Sequence, residues 1–403
     1  MSLSDLKHTL RKYEFPTSAK EALLKIEQVL IGRGAPSTKQ LDIAMEIISE
    51  FVFCESDRRG SRRGGGLTPL QDLQLIDIIC EYLCACTNDT TKNTIFLSLF
   101  GNIENQKRLK ILSILASMAV SASSTPVLLA VGVWFQQMGC SSPNSLQLVE
   151  NVVRDHFFLN TSNQAALRSL ANTAPQFVAN FMTAVTELYM QDIQGNKTKI
   201  PPKNLLEIIT TWVYSNPTLC MSAQLNAAAL PSGSIPMAAV TPIAGLVRWC
   251  ALAPLNIDED AEMVEVPIKK IKLEDDKHPH LAAPTKSLSE SELYTKLHLG
   301  VLVSMRAGRR THGPPTAVNA QNLVALASTI QNYSLKNAKK PLPYKVSTDI
   351  RLQDCLDRLG QAVEVALSHG CVYGNINILL SALENLPENR LIHIIIKSHR
   401  QSV

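Results

Sequence analysis

Hydrophobic side chains recur along most of this chain with a period near 3.6 residues, the spacing of one face of an α-helix. The clearest run lies between Phe177 and Tyr189, where apolar residues repeat at i, i+1 and i+4. The same stripe recurs in stretches that begin at Leu23, Leu41, Leu205 and Leu352. Residues 391–396 suit a strand as well as a helix, but their helical surroundings favour helix. No comparable run alternates with period two, so the pattern predicts an all-α fold.

Three Thr-Pro pairs mark predicted helix starts, because a threonine hydroxyl can cap the first turn and proline is tolerated at the first helical position. The pairs begin at Thr68, Thr125 and Thr241, and Gln71 completes a capping box with Thr68. These signals place about 14 to 17 helices joined by short loops. We expect neighbouring helices to pack antiparallel in a degenerate helical repeat, a HEAT-like α-solenoid, although no clear sequence period supports it.

Charged residues concentrate in one stretch that has few apolar positions. Residues 255–290 hold an acidic run, a basic cluster and a second acidic run. This composition predicts a charged, flexible, disordered linker. A short strand at 264–268 is the alternative, and Pro267 weakens it because proline cannot donate a ladder hydrogen bond. The linker would divide an N-terminal helical array, residues 1–254, from a C-terminal helical array, residues 291–403.

Two long stretches carry no charged side chain, from Ile111 to Val149 and from Ile208 to Val247. A membrane span needs about 20 unbroken apolar residues. Serine, proline, asparagine or glycine residues interrupt both stretches, so we interpret them as helical hairpins buried inside protein. We expect no membrane partner.

Nine cysteines are scattered along the chain, mostly one at a time inside apolar helical patterns. The first 20 residues mix charged and apolar positions and contain no hydrophobic signal region. We therefore expect buried thiols in a reducing compartment, the cytosol or the nucleus, and no disulfide framework. Cys80, Cys84 and Cys86 form the densest group, but a fourth ligand at zinc spacing is missing, so we expect no metal.

Motifs for catalysis or cofactor binding do not occur in the sequence. The chain lacks the phosphate-binding pattern G-x-x-x-x-G-K-[ST], the dinucleotide pattern G-x-G-x-x-G, the hydrolase elbow G-x-S-x-G and the zinc-protease pattern H-E-x-x-H. Its densest carboxylate pairs lie in the predicted linker, where hydration keeps them ordinary acids. We expect neither an enzyme nor a cofactor.

The predicted linker contains two signals that an unfolded segment can present to a partner. Lys269, Lys270 and Lys272 form a short basic cluster of the kind that nuclear import receptors bind. Lys272 also lies between Ile271 and Glu274 in a SUMO-acceptor pattern, with further acidic residues downstream. A solvated run of charges is the alternative for both signals.

An Arg- and Gly-rich stretch, residues 55–66, interrupts the helical pattern. Arg58, Arg59, Arg62 and Arg63 among flexible glycines could contact RNA, phosphate or a protein partner. A solvated insertion is the simpler interpretation. The net charge of +4 is small for 403 residues, which argues against broad, non-specific nucleic-acid binding.

Two tryptophan-centred strings carry a resemblance to a known family. The first runs Ile200-Pro201-Pro202-x-x-Leu205-Leu206-Glu207-x-Ile209-x-Thr211-Trp212, and the second runs Thr241-Pro242-x-x-Gly245-Leu246-x-Arg248-Trp249-Cys250-x-x-Ala253-Pro254-Leu255. With shorter stretches that match in order along most of the chain, they resemble the Integrator complex subunit 15 family. Trp212 and Trp249 lie on apolar faces, so we expect both to be core anchors.

This resemblance implies a helical, non-catalytic scaffold in the nucleus. Family members are expected to connect the arm module of the Integrator complex, which contains subunits 10, 13 and 14, with the rest of the complex. That complex associates with RNA polymerase II, processes nascent and small nuclear RNA, and terminates transcription, while cleavage and phosphatase activities belong to other subunits. From the residues alone, a helical-repeat RNA-binding protein and a cytosolic adaptor are the alternatives.

Overall fold

The structure of the chain is a computed structural model. It describes residues 3–31, 36–55, 66–101, 106–160, 162–190, 199–226, 228–231, 234–235, 237–256, 288–308, 317–337 and 344–400. Most of the predicted Arg-Gly stretch and most of the predicted linker therefore lie outside the described residues.

Helices make up almost all of the regular structure in these ranges. The first thirteen are α1 (Leu3–Leu10), α2 (Thr17–Leu30), α3 (Thr38–Ile47), α4 (Pro69–Ala85), α5 (Asp89–Phe100), α6 (Gln106–Ala122), α7 (Thr125–Met138), α8 (Pro143–Val153), α9 (Gln164–Thr173), α10 (Pro175–Leu188), α11 (Lys203–Ser215), α12 (Ser222–Leu225) and α13 (Ile243–Asn256). The other five are α14 (Glu290–Gly308), α15 (Ala320–Asn337), α16 (Tyr344–Ser368), α17 (Ile376–Glu384) and α18 (Arg390–Arg400). The all-α prediction is confirmed, and the 18 helices of the described residues slightly exceed the predicted number. The repeat character stays a prediction.

Three turns of tighter or wider helix join these elements. Ile48–Val52 and Arg154–Leu159 are π-helical turns that continue α3 and α8, and Leu219–Met221 is a 3₁₀ turn ahead of α12. Residues 391–396 lie inside α18, so the prediction of helix at this ambiguous stretch is confirmed.

Two very short strands also occur. β1 (Val318–Asn319) and β2 (Val372–Tyr373) pair in parallel, with Val318 opposite Val372. The hydrophobic pattern does not predict this pair, because two residues are too few to show a period of two.

The predicted helix starts are confirmed in part. Thr68 caps α4, since its hydroxyl accepts from the Gln71 N–H at 3.3 Å while the Gln71 side chain accepts from the Thr68 N–H at 3.0 Å. The prediction of Thr125 as a cap is wrong, because Thr125 is already the first residue of α7 and Ser124 takes the cap position. Helix α13 begins one residue later than predicted.

Contacts divide the chain into two compact units. The first comprises Met1–Leu188 and Thr211–Gly245, and the second comprises Tyr189–Thr210 and Leu246–Val403. Helices α11 and α13 each contribute residues to both units. The predicted division of the chain at residues 255–290 stays a prediction.

Helices of the first unit pack against partners one to three places along the chain. Helix α2 packs on α3 and α4, α4 on α6, α5 on α7, and α6 on α8. Helix α10 is enclosed, since it packs against α7, α8, α9 and α12 and every residue from Gln176 to Thr186 is buried. The sequence pattern predicts one buried face for this helix. The structure buries all sides, as expected of a helix surrounded by protein.

Helices of the second unit show the same alternation. Helix α14 packs on α16, α16 on α18, and α15 on α17. The charge-free stretch from Ile111 to Val149 folds largely as helices, α7 among them. The stretch from Ile208 to Val247 is helical at its two ends and over residues 219–225, and the described residues between Asn226 and Val240 are not helical. Within the described residues, no helix combines the length and hydropathy that crossing a membrane requires.

Candidate partner-binding groove

All three tryptophans of the chain are buried and donate the indole N–H to a backbone carbonyl. Trp134 donates to Phe100 O at 2.8 Å, Trp212 to Leu167 O at 2.8 Å, and Trp249 to Tyr189 O at 3.2 Å. Trp212 is 2% exposed and Trp249 is 0% exposed. Phe100 ends α5 and Tyr189 follows α10 directly. Two of the indole N–H groups therefore donate hydrogen bonds to backbone carbonyls near helix ends that lack a partner within the helix. All three side chains are buried in the core and cannot contact a partner protein.

The charged residues predicted as sites lie outside the described residues. They are the basic-stretch residues Arg58, Arg59, Arg62 and Arg63 and the linker residues Lys269, Lys270 and Lys272. Contact with RNA or a partner, nuclear import and modification of Lys272 stay predictions.

The cysteine group of α4 does not come together as a metal site. Among the described residues, no group of three or more His, Cys, Asp or Glu side chains is arranged to hold a metal ion. Burial raises the pKa of Cys80 to about 11 and that of Cys140 to about 12. These thiols stay protonated at neutral pH and are poor nucleophiles.

Two histidines are buried in the neutral form. Burial lowers the pKa of His298 to about 4, although a hydrogen bond to Gln361 Oε1 at 3.1 Å opposes the change. Burial also lowers the pKa of His156, whose Nε2 lies 3.1 Å from Ser117 O. Both rings join neighbouring helices, which is a packing role.

The geometry that suits partner binding lies in the first unit, around residues 226–240 between α12 and α13. The structure describes 226, 228–231, 234–235 and 237–240 of this segment, and none of these is helical. This segment contains no charged residue. Three side-chain amides donate to its carbonyl oxygens: Asn93 to Ala229 O at 2.9 Å, Gln136 to Met237 O at 2.9 Å, and Gln224 to Ala239 O at 3.4 Å. Helices α5, α7 and α12 thus hold the segment through its main chain.

Two of these amides are buried, and a third residue orients one of them. Asn93 is 6% exposed and Gln136 is 7% exposed. Gln176 of α10 donates Nε2 to Gln136 Oε1 at 3.3 Å, which leaves the Gln136 NH₂ group to donate to Met237 O. A buried amide that lacks a partner costs about 1–3 kcal/mol, so the carbonyls of the segment stabilise both side chains.

A cleft of about 250 Å³ opens beside the segment. Its lining residues come from α5, the first half of α7, the start of α10 and the segment itself: Asp89, Lys92, Asn93, Pro126, Leu129, Val133, Pro175, Gln176, Asn226 and Ala229. Asp89 and Lys92 are the charged residues of this lining, and they pair with each other at 2.8 Å. The cleft is therefore close to neutral, with apolar walls and amide donors. We call the cleft and the three donor amides Asn93, Gln136 and Gln224 the amide groove.

Sequence reasoning misses the amide groove. One signal was present, because Gln136 is a polar residue inside the charge-free stretch from Ile111 to Val149, and buried polar groups require partners. Its partner is a backbone carbonyl 101 residues further along the chain, and a backbone group leaves no signature in the sequence.

Comparisons with known proteins identify the family. The family model of Integrator complex subunit 15 matches residues 4–388. Integrator complex subunit 15 of Drosophila melanogaster is 35% identical over 413 residues, which cover 100% of both chains. The subunits of the same name from Mus musculus and Homo sapiens are each 30% identical and cover 98% of this chain and 87% of their own. These matches confirm the resemblance of the tryptophan strings, and the chain belongs to the Integrator complex subunit 15 family.

Proposed function

We propose that this chain is a non-catalytic scaffold subunit of the nuclear Integrator complex. In this role it connects the arm module, with subunits 10, 13 and 14, to the rest of the complex. The assembly acts with RNA polymerase II in the processing of nascent and small nuclear RNA and in transcription termination. The observation that carries the proposal is the match to Integrator complex subunit 15 along nearly the whole chain.

The chemistry of the described residues supports binding in preference to catalysis. Burial raises the pKa of Cys80 and Cys140 and lowers that of His298. At neutral pH the two cysteines are therefore not thiolates and the histidine does not exchange a proton, although nucleophilic and acid–base catalysis use those forms. By contrast, the adjacent Phe158 and Leu159 are 61% and 74% exposed at the π-helical turn after α8. Contiguous exposed apolar side chains are typical of protein-binding surfaces.

The linker belongs to the same proposal. We propose that the linker between α13 and α14 connects helical arrays as a flexible chain. Helix α13 extends through Asn256 and α14 begins at Glu290, so the linker is slightly shorter than the predicted residues 255–290. In this proposal the cluster of Lys269, Lys270 and Lys272 directs nuclear import, and Lys272 accepts SUMO. The Lys272→Arg variant keeps the charge and removes the acceptor amine. We expect it to stay nuclear and to lose conjugation, and unchanged conjugation would contradict the assignment of this lysine.

Affinity purification of the tagged full-length chain from nuclear extract, followed by mass spectrometry, tests the scaffold role. We expect arm-module subunits and other Integrator subunits to be recovered together. Depletion of the chain should separate the arm module from the rest, and re-expression should restore it. Recovery of no Integrator subunit would overturn the proposal. Direct, steeply salt-dependent RNA binding or purely cytosolic partners would favour the two alternatives.

A further inference from the structure

The described part of the segment of residues 226–240 is held in the amide groove by its backbone, while three of its large apolar side chains face solvent. Ile235 is 87% exposed, Met237 is 54% exposed and Val240 is 51% exposed. The amides contact carbonyl oxygens at alternate positions such as Met237 and Ala239. Because every residue has a carbonyl, this mode of binding depends little on side-chain identity.

The segment also fills the groove poorly. The residue that it places on the cleft lining next to Asn93 is Ala229, and about 250 Å³ of space stays beside it. That volume is far above the roughly 10–15 Å³ that one water molecule requires. A peptide that keeps the carbonyl contacts and carries a larger side chain at this position would gain packing that the segment does not provide.

We propose that the amide groove binds a non-helical, uncharged backbone segment of another Integrator subunit, and that residues 226–240 of this chain are its intramolecular occupant until that segment takes their place. The proposal rests on the scaffold function above and names the chemistry of one contact.

The lining of the cleft determines the chemistry of the occupant. Lys92 is neutralised by Asp89 at 2.8 Å, and the remaining walls are apolar or carry amides. A charged side chain would lose hydration in this cleft without gaining an opposite charge, whereas a medium-sized apolar side chain would fill it. The three amides supply donors, so the occupant must offer carbonyl acceptors, as main chain outside regular structure does.

A peptide in trans tests the groove. The probe is a fluorescein-labelled peptide with the sequence of residues 226–240, and the receptor is the full chain with residues 228–240 replaced by a Gly-Ser repeat of equal length. We expect saturable binding by fluorescence anisotropy. Binding to the unaltered chain should be at least about tenfold weaker, because the tethered segment competes at an effective concentration near the millimolar range.

Variants of the groove establish that the amides are responsible. Asn93→Ala and Gln136→Ala should each weaken peptide binding about tenfold, from the loss of about 1–2 kcal/mol per hydrogen bond. Asn163→Ala is the matched control, because Asn163 also donates an amide to a carbonyl, Ser121 O at 3.4 Å, away from the groove. A peptide with Ala229→Leu should bind more tightly than the original sequence.

Two outcomes would overturn the groove assignment: no peptide binding, or binding that the two groove variants and the Asn163 control affect equally. If the Gly-Ser chain does not fold, as judged by circular dichroism, the Ala229→Leu peptide is titrated at high concentration into the unaltered chain and its Asn93→Ala variant. Equal binding to these two proteins would overturn the assignment as well.

A photo-crosslinker identifies the occupant in the assembled complex. Leu129 lines the cleft, so a benzoylphenylalanine at this position should crosslink to an uncharged stretch of another subunit. The same probe at exposed Arg168 is the control and should not crosslink to that stretch. Crosslinks only to residues 226–240 in a complex that contains the Integrator subunits would refute this inference and leave the scaffold function intact. A chain that recovers no subunit would refute the scaffold function itself.

Discussion

Replacement of Gly245 by alanine would create a steric overlap with Thr186, inside the first unit. A Cβ at Gly245, in the first turn of α13, would overlap Oγ1 and Cβ of Thr186 and lie 3.1 Å from its Cγ2. Rotation about χ1 moves Oγ1 and Cγ2 but leaves the threonine Cβ in place, so no rotamer of Thr186 relieves the overlap. The close approach explains why the second tryptophan string contains a glycine at this position.

The expected destabilisation is set by two opposing effects. Overpacking of a close-packed core costs about 1–3 kcal/mol, and occasionally more. Alanine recovers at most about 1 kcal/mol of helix propensity relative to glycine. Thr186 lies in the enclosed helix α10 and is 1% exposed, so the overlap cannot be relieved into solvent. We expect Gly245→Ala to destabilise the first unit by about 1–3 kcal/mol.

Gly360→Ala is the matched control. Gly360 lies inside α16, and its added Cβ would lie 3.0 Å from Cδ2 and 3.1 Å from Cγ of Leu391, both of which move when that flexible side chain changes rotamer. That contact is cheap to relieve, so the propensity gain dominates and stability should be unchanged or higher by up to about 1 kcal/mol.

Amide hydrogen exchange measured by mass spectrometry is the suitable assay, because a chain of two units has no single free energy of unfolding. Amide hydrogens in peptides from α10 should exchange faster in Gly245→Ala than in the unaltered chain. Their exchange rates should not change in Gly360→Ala. Thr186→Gly in the same chain removes the overlapping Cβ and should restore protection in part. Equal α10 protection in Gly245→Ala and the unaltered chain would refute the close-packing argument.

Three further outcomes follow from the buried groups. Trp212→Phe removes the indole donor to Leu167 O, so amide hydrogen exchange of first-unit peptides should show a loss of protection of about 1–3 kcal/mol. The pKa of His298 is about 4 in the folded state and about 6.5 in the unfolded state. The contribution of this residue to the free energy of unfolding is therefore complete above about pH 6.5 and is lost as the pH falls toward 4. His298→Gln should flatten that part of the pH–stability curve. Exposed Cys84 should react with Ellman's reagent in the native chain, whereas buried Cys140 should react after unfolding.

Local chemistry made much of the helical framework predictable. The Thr68–Gln71 capping box uses side chains three residues apart, so both halves of the interaction are visible in the sequence. Thr125 has the same Thr-Pro signature, yet Ser124 takes the cap position, so the helix starts one residue earlier and Pro126 is its second residue. The first residue of such a helix can shift by one position, and helix propensity is too coarse to predict a shift of that size.

Tertiary contacts set what the sequence could not reveal. The stripe from Phe177 to Tyr189 predicts one buried face, but α10 is buried on every side because helices before and after it in the chain surround it. The same reason hides the amide groove. Asn93 and Gln136 look like ordinary polar positions until the carbonyls of Ala229 and Met237 are placed against them. Hydrophobic periodicity shows which face of a helix is apolar and which is polar. It does not show which distant part of the backbone packs against a polar residue.

The buried amides connect occupancy of the groove to the stability of the fold. If residues 226–240 left without a replacement, Asn93 and Gln136 would each lose a partner, at about 1–3 kcal/mol per group. A loss of that size is a large fraction of the roughly 5–15 kcal/mol that stabilises a typical domain. An empty groove is therefore the least stable state of this unit, unless water reaches both amides. Direct exchange of the resident segment for a partner's segment keeps the hydrogen bonds to both amides. The partner's segment therefore has to bind as the resident segment leaves. Its binding should raise the free energy of unfolding of the first unit by an amount that grows with its affinity.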